Sequence, residues 1–183
     1  GGVYFDLDMI SLTSVSALPA NALGQQLEGL DKRGRVPFIN GAGMIFDARH
    51  PFMERVMNDF HKSWDVKTFG TVGPDLLWDT YEAMRAEVNA TSATSSISGS
   101  RIDTLPTLLG KAVFYPIKFK SSALRNFFAR PAGRLPWYPS DTVAVHLWSH
   151  LISRMDVLPT SKGGALIANC TDTAFIRKTR AGA

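Results

Sequence analysis

The first ten residues, GGVYFDLDMI, place two carboxylates directly after a short apolar run. Residues 3–5 are β-prone, so the run predicts a buried strand that ends at Asp6. If the backbone stays extended, Asp6 and Asp8 point to one side and Leu7 to the other. Adjacent carboxylates repel each other unless a positive group lies between them, and a hard divalent cation is the usual one. The stretch is therefore either a metal site or a polar turn after a strand.

Charge is distributed unevenly along the chain. Residues 1–100 carry 8 Lys or Arg and 12 Asp or Glu, whereas residues 101–183 carry 12 and 4. An acidic half that holds the D-x-D pattern and a basic half suit a metal and a phosphorylated ligand between them. The basic residues are spread out and form no nucleic-acid-binding motif, so we expect no nucleic-acid partner.

The length of 183 residues predicts a single domain over residues 1–183. No apolar run approaches the roughly 18–20 residues of a membrane span, and no targeting signal is visible. Cys170 is the only cysteine, which excludes an internal disulfide framework and a cysteine-based zinc site. Residues 89–101 are rich in Ser, Thr and Ala and predict a flexible insertion.

Apolar spacing predicts two helices. In residues 51–60, Pro51 fits the first helical position, and Phe and Met side chains then recur every three or four residues, which is typical of core packing. Residues 75–88 have the same periodicity. Asp75 in their first turn either favours the helix N-terminus or lies in a cleft.

The remaining elements are predicted from shorter patterns. Residues 23–30 have weak helical character, and residues 111–117, 141–148 and 165–168 are expected to form strands. In residues 36–47, two apolar pieces flank Asn40 and Gly41. This arrangement predicts either a hairpin turn or a strand whose small residues let a ligand approach.

Two later features leave structural and functional interpretations open. Basic and aromatic residues are interspersed in residues 118–138, which form either a solvated loop with a few buried rings or a clamp for phosphates or an acceptor. The basic residues are Lys118, Lys120, Arg125, Arg130 and Arg134. His146 follows an apolar run, where a histidine is a core residue more often than a ligand.

Six short segments in this order together resemble the α-1,4-glycosyltransferase family, which has a DXD sugar-binding region. They are residues 6–8 (DLD), 39–42 (INGA), 50–53 (HPFM), 73–77 (GPDLL), 114–117 (FYPI) and 144–148 (AVHLW). The resemblance implies an α/β GT-A-like fold, with a mixed, mainly parallel sheet flanked by helices. Because the DXD strand comes first here, we expect the N-terminal nucleotide-binding strands of that fold to be lacking.

The resemblance also implies a set of metal ligands. Asp6 and Asp8 match the DXD pattern, in which the first carboxylate contacts the donor or the metal and the second binds the metal directly. His146 matches a late histidine that completes the coordination by analogy with related enzymes. The implied cofactor is Mn²⁺ or Mg²⁺, together with a nucleotide-sugar donor, a UDP-sugar in such families.

Five further positions match family segments around the donor. Asn40 and Gly41 match a segment that lines the donor side, and Gly73 and Pro74 match a segment that opens a helix near the sugar. Asp75, which follows them, is a candidate catalytic nucleophile.

The implied function is metal-dependent transfer of a hexose or N-acetylhexosamine to a glycan or glycolipid, with retention of anomeric configuration. The implied compartment is the Golgi lumen, with membrane association only through upstream sequence. Two alternatives remain open: a non-catalytic transferase-like relic or interaction module, and a haloacid-dehalogenase-like phosphatase. In the phosphatase, Asp6 would be the nucleophile, Asp8 the general acid/base, and Asp75 and Asp79 would hold Mg²⁺.

Overall fold

The computed structural model describes residues 1–27, 39–63, 71–92, 104–131, 138–153 and 155–171. The strands in these residues are Gly2–Phe5 (β1), Met9–Ser11 (β2), Ala22–Gln25 (β3), Ile39–Phe46 (β4), Thr107–Leu109 (β5) and Ala144–His146 (β6). The helices are Pro51–Ser63 (α1), Leu76–Ser92 (α2), Lys111–Phe114 (α3), Ser121–Phe128 (α4), Ser149–Ile152 (α5) and Lys162–Thr171 (α6). Helical turns also cover Val15–Ala17 and Thr71–Asp75.

Four strands form a sheet in the order β1-β4-β3-β5, and β2 pairs with β6 in a second sheet. The prediction of a mixed sheet flanked by helices is confirmed, but "mainly parallel" is wrong for the described residues. Among their strand pairs, β3 with β5 is parallel, and the other three are antiparallel. The connection between β3 and β5 contains α1 and α2, and a parallel pair requires a long crossover of this kind.

The first strand lies at an edge of the larger sheet, paired on one side with β4. Val3 and Tyr4 are consequently about half exposed, and only Phe5 packs against the apolar core. The strand is therefore present as predicted, but the expectation that it is buried is wrong.

The two helices predicted from apolar spacing are confirmed. Helix α1 begins at Pro51, as expected, and α2 runs from Leu76 to Ser92. Asp75 lies just before α2, in the turn Thr71–Asp75, where Gly73 departs from helical geometry with φ −121° and ψ −108°. Since α2 extends to Ser92, the first residues of the proposed 89–101 insertion are helical; residues 93–101 lie outside the described part of the chain.

Three short-pattern predictions are wrong. Strand β3 occupies part of residues 23–30, where weak helical character was expected. Residues 111–114 form the single-turn helix α3 instead of a strand, and residues 165–168 belong to α6. These stretches are short, and their structure is decided by neighbours distant in sequence. Gly24, for example, lies so close to Phe114 and Tyr115 that a Cβ atom there would be 2.7 and 2.6 Å from their rings.

The segment around Asn40 and Gly41 is not a hairpin turn but part of the continuous strand β4. Its pairing with β3 shifts register, from Leu23 opposite Met44 to Gly24 opposite Asn40, which marks a bulge. The Asn40 side chain supports the bulge, because its Oδ1 accepts a hydrogen bond from the Ala42 amide at 2.8 Å.

Two apolar clusters cover the two faces of the larger sheet. Ala22 and Leu23, adjacent in β3 and therefore pointing to opposite faces, belong to different clusters. The first cluster joins the sheet to β6, α3, α4 and α6, and the second packs α1 and α2 on β3 and β4. In the described residues, no helix combines the length and apolarity needed to cross a membrane.

Candidate metal centre

A tight turn directly after β1 orients the two carboxylates of the D-x-D pattern. The Asp6 amide continues the β1–β4 pairing by donating to the carbonyl of Ala42 at 2.9 Å. The chain then turns, and the Met9 amide donates to the Asp6 carbonyl at 3.0 Å. Leu7 is fully exposed at the tip of this turn. The backbone between the aspartates is thus a turn, so the condition of an extended backbone, on which the same-side argument depended, is not met.

The pairing of β2 with β6 brings a histidine to these carboxylates. Met9 lies opposite His146, and the Leu147 amide donates to the Asp8 carbonyl at 2.9 Å. The His146 Nε2 atom is 3.1 Å from Asp8 Oδ1. One ligand atom each from Asp6, Asp8 and His146 lie within 4.8 Å of one another. The structure therefore brings together the three residues that the sequence predicted as metal ligands, although they are far apart in sequence.

Each carboxylate has a defined hydrogen-bond partner. Asp8 Oδ2 accepts a bond from the Ser149 amide at 2.8 Å, and Asp6 Oδ1 accepts one from the Tyr4 hydroxyl at 2.6 Å. Burial acts to raise the pKa of Asp8, but the Ser149 amide and the nearby His146 lower it overall. Asp8 is therefore an anion at neutral pH. The bond to Asp6 raises the pKa of Tyr4.

His146 is only 5% exposed. Its ring lies 4.0 Å from the Trp148 ring and 5.8 Å from the Tyr115 ring, between centroids. Burial lowers its pKa, although Asp8 and Asp6 oppose that shift. The imidazole is therefore neutral at pH 7, the form in which histidine binds metals. Its Nδ1 atom is buried without a hydrogen-bond partner in the described residues, whereas metal-binding histidines usually donate from their second nitrogen.

Trp148 adopts a left-handed backbone conformation, with φ 56° and ψ 49°. This conformation is unfavourable for a bulky residue and is characteristic of functional sites. The side chain is buried, and its Nε1 donates to the Ile117 carbonyl at 3.0 Å. The turn that it makes directs the following amide, that of Ser149, at Asp8.

Tyr115 connects this group to the β4 bulge. Its hydroxyl donates to the Asn40 carbonyl at 3.1 Å, and the side chain is almost fully buried. Burial raises its pKa strongly, with the charges of Asp6 and Asp8 adding to the effect, so the phenol stays neutral. The neutral Tyr115 hydroxyl thus links the residue that contacts His146 to the bulged strand β4.

The residues fit a divalent cation of the Mn²⁺ or Mg²⁺ type. Two carboxylates and one neutral imidazole offer oxygen and nitrogen ligands of suitable chemistry, and they are close enough to share one ion. Within the described residues, this is the grouping of His, Cys, Asp and Glu side chains that meets these requirements.

The other predicted site residues are not part of this ligand group. Both polar atoms of the Asn40 side chain are used internally, since Nδ2 donates to Gln26 Oε1 at 2.7 Å. Gly41 faces α2, where an added Cβ would lie 3.3 Å from Leu77. Gly73, Pro74 and Asp75 are partly buried in the turn before α2, which contacts β4.

In the basic segment, the charged side chains that the structure describes are exposed; they are Lys118, Lys120, Arg125 and Arg130. Arg134 lies outside the described residues. Sequence reasoning assigned no site role to Tyr4, Ser149, Trp148 or Tyr115. The sequence did contain a signal that Tyr4 lies next to Asp6: residues two apart on a strand share a side, and Tyr4 is two residues before Asp6.

The fold and this group define a class: a mixed α/β protein with a carboxylate–imidazole centre of the metal-binding type. The conserved region of the alpha 1,4-glycosyltransferases matches residues 45–173, and the chain therefore belongs to that family. Gly73, Pro74, Asp75 and His146 lie inside the matched region, whereas the D-x-D turn and Asn40 precede it.

Individual relatives agree with this membership. The chain is 31% identical to the Homo sapiens lactosylceramide 4-alpha-galactosyltransferase over 149 residues, covering 81% of this chain and 37% of the relative. It is 27% identical to the Mus musculus protein of that name, covering 92% and 42%, respectively. An uncharacterized Arabidopsis thaliana protein is 27% identical over 97% of this chain and 26% of its own length. The chain thus spans less than half of these relatives. No solved structure matches the chain significantly.

Neither alternative hypothesis is favoured by these matches. In addition, Asp79 is exposed in the first turn of α2 and Asp75 precedes that helix, so the acidic pair of the phosphatase hypothesis lies in a helical context. The residues that are grouped suitably for a metal are Asp6 and Asp8 of the D-x-D turn together with His146, and not Asp75 and Asp79.

Proposed function

We propose that this chain carries the metal centre of a glycosyltransferase that moves a hexose or N-acetylhexosamine from a nucleotide-sugar, a UDP-sugar, to a glycan or glycolipid. The observation that carries the proposal is the convergence of Asp6, Asp8 and His146 in a chain of the α-1,4-glycosyltransferase family. The curated relatives named lactosylceramide 4-alpha-galactosyltransferase support a galactosyl donor and a lactose-type acceptor.

The three side chains have distinct roles in this proposal. Asp8 and His146 bind the cation directly, and Asp6 contacts the cation or the donor. When bound, Mn²⁺ or Mg²⁺ neutralises the negative charge that develops on the departing diphosphate. The Ser149 amide and the Tyr4 hydroxyl fix the two carboxylates in place, which limits their reorganisation when the charge develops.

The donor side lies along β4 and the turn before α2. Gly41 allows close approach to the strand, the Asn40 side chain maintains the bulge, and Gly73 and Pro74 shape the adjacent turn. In the transfer, the bond between the sugar C1 and the diphosphate oxygen breaks, and a bond from an acceptor hydroxyl oxygen to C1 forms with loss of the hydroxyl proton.

Retention of configuration requires one of two routes in this proposal. Asp75 attacks C1 as a nucleophile, or the acceptor attacks from the face that the diphosphate leaves. The partly buried position of Asp75 beside Gly73 supports keeping the first route. The fold assignment as GT-A-like, the extent of one domain over residues 1–183 with an insertion at 89–101, and a Golgi-lumen location belong to the same proposal.

A Mn²⁺ titration of the purified chain tests the centre. We expect binding detected by water-proton relaxation, and UDP-galactose binding that depends on Mn²⁺. Asp8→Asn and His146→Ala remove ligands, so each is expected to weaken Mn²⁺ binding by more than about tenfold, the lower bound for losing even a supporting residue.

The matched control is Asp79→Asn, which removes an exposed carboxylate from α2. It should leave Mn²⁺ affinity unchanged. Equal losses in Asp79→Asn and Asp8→Asn, or Mn²⁺ affinity unaffected by Asp8→Asn, would contradict the proposed centre. Phosphate release from an aryl phosphate that is lost in Asp6→Asn would instead support the phosphatase.

A further inference from the structure

A series of aromatic rings leads from the candidate metal centre to the protein surface. The His146 ring contacts Trp148, with centroids 4.0 Å apart, and Trp148 contacts Phe119 edge-on at 4.9 Å. Phe119 in turn lies 5.7 Å from the ring of His150, with the two planes inclined by 36°. His146 and Trp148 are buried, whereas Phe119 and His150 are exposed.

The exposed end of this series combines solvent exposure with contacts between rings. Phe119 remains 42% exposed although two other rings adjoin it. The buried Trp148, held by its hydrogen bond to Ile117, supports Phe119 from beneath. Clustered exposed aromatic rings with rigid support mark ligand-binding surfaces, in contrast to single exposed apolar residues.

We propose that Phe119 and His150 form a stacking platform for a sugar ring of the acceptor. This inference rests on the proposed function, because it assigns the acceptor position for the same site. A pyranose presents one face of C–H groups that packs on aromatic rings, and its hydroxyls project sideways towards polar groups. Lys118 and Lys120, which precede and follow Phe119 in the sequence, are both exposed.

The position of the platform fits an acceptor better than a donor. His150 follows Ser149, whose amide binds Asp8, so one short segment both holds the metal-type carboxylate and carries a platform ring. The platform lies two ring contacts from His146, a separation on the scale of a short oligosaccharide. Since the buried Trp148 ring lies between Phe119 and His146, a sugar stacked on the platform does not contact the cation.

The direct test is an NMR titration of the chain, labelled with ¹³C-phenylalanine, with methyl β-lactoside. The Phe119 ring signals are assigned by their loss in Phe119→Tyr. We expect them to shift on titration, while the Phe60 ring signals on α1, with a similar exposure of 37%, remain unchanged. Phe119 signals that stay unmoved at saturating concentrations would overturn the proposal.

Variants give a second, independent readout. Phe119→Ala and His150→Ala are each expected to weaken lactoside binding by about tenfold, the typical size of a lost aromatic contact. Phe119→Tyr should retain binding, and the matched control Phe60→Ala should not change it. Lactoside affinity unchanged in both alanine variants overturns the platform.

The Mn²⁺ affinity of each variant separates this proposal from the proposed function. Neither Phe119 nor His150 is a proposed ligand, so Mn²⁺ binding should stay within about twofold, well under one tenfold step. If Mn²⁺ and UDP-galactose bind but Phe119 does not respond to lactoside, the platform is wrong and the transferase stands. If Phe119 responds but Mn²⁺ does not bind, the transferase is wrong and the sugar platform stands.

Discussion

The two faces of the larger sheet differ in how they are built. On one face, α1 and α2 pack on β3 and β4 through apolar side chains, with stacked Phe46 and Phe52 rings 5.8 Å apart. On the other face, the first apolar cluster surrounds hydrogen-bonded aromatic residues, a strand bulge and a left-handed tryptophan. The irregular features and the carboxylate–imidazole group thus occur together. On the face that carries the carboxylate–imidazole group, the left-handed Trp148 backbone thus orients the Ser149 amide towards Asp8.

The largest effects should come from removing a buried phenylalanine on either face. Phe114 and Phe52 are both fully buried, so each change to alanine is expected to destabilise the fold by about 3–5 kcal/mol. Phe114 contacts Phe5, which directly precedes Asp6, with ring centroids 5.5 Å apart. We therefore expect Phe114→Ala also to weaken Mn²⁺ binding, and Phe52→Ala to leave it unchanged.

Urea denaturation measures the stability loss, and a Mn²⁺ titration under conditions where each variant is folded measures the site. The contrast between the two faces fails if Phe52→Ala weakens Mn²⁺ binding as much as Phe114→Ala does.

Added methyl groups in β4 should also distinguish the faces. A Cβ at Gly43 would lie 2.9 Å from the Phe114 ring, so Gly43→Ala is expected to cost about 1–3 kcal/mol through overpacking. A Cβ at Gly41 would meet only the flexible end of Leu77 at 3.3 Å, and about 0.5 kcal/mol is expected.

Urea denaturation of both variants tests this order, and UDP-galactose binding tests the proposed donor side. Gly41→Ala should weaken donor binding despite its near-native stability, because the added Cβ presses on Leu77, next to the turn that carries Gly73 and Pro74. Equal destabilisation by Gly41→Ala and Gly43→Ala would show that the bulge does not place these two glycines in different packing environments.

The difference between the faces also explains what the sequence could predict. Helices α1 and α2 follow from residues 51–60 and 75–88 because an amphipathic helix on a sheet needs only a local 3.6-residue period. The D-x-D pattern predicted the types of ligand, because two carboxylates held side by side repel each other unless a cation lies between them or the chain turns. The match of His146 came from family resemblance, since nothing local to His146 encodes its contact with Asp8.

What local patterns missed depends on contacts between distant segments. Residues 111–114 contain β-prone Val113 and Phe114, yet they form a helical turn that packs against Gly24 and Gly43. For the Asn40–Gly41 pair, local patterns left a hairpin turn and a strand both open, and the structure has the strand, with a bulge held by the Asn40 side chain and by Tyr115. No local period could predict either outcome, because the partners are brought in by the tertiary fold.

Acid pH should destabilise the metal-free protein through His146 and Asp8, two members of the candidate metal centre. Burial holds the pKa of His146 below its ordinary value of about 6.5, so just below that pH the unfolded chain binds more protons than the folded chain. The contribution of His146 is therefore complete above about pH 6.5. It falls by at most about 1.4 kcal/mol per pH unit as the pH drops towards the lowered pKa.

Urea denaturation in EDTA from pH 8 to pH 5 measures this slope. His146→Gln should flatten it, whereas His61→Gln, an exposed histidine near the end of α1, should not. Asp8 acts in the same direction at lower pH, because its pKa is lowered overall and its contribution is lost as the pH falls through that value. A wild-type unfolding free energy that is constant from pH 8 to pH 5 would contradict the prediction.

The smallest effects on stability should come from two exposed polar pairs, one beside the carboxylate–imidazole group and one between α1 and α2. The Tyr4 hydroxyl donates to Asp6 at 2.6 Å, and Arg55 binds both Glu87 oxygens at 2.7 and 2.8 Å between α1 and α2. Tyr4→Phe and Arg55→Met should each cost about 1 kcal/mol or less, because both pairs are solvated. Only Tyr4→Phe should weaken Mn²⁺ binding, by about tenfold, since it frees a carboxylate that must be oriented for the cation.

Urea denaturation and Mn²⁺ titration of both variants provide the measurement. If Tyr4→Phe binds Mn²⁺ as tightly as Arg55→Met does, Asp6 is oriented by its backbone turn alone, and the hydroxyl has no part in the centre.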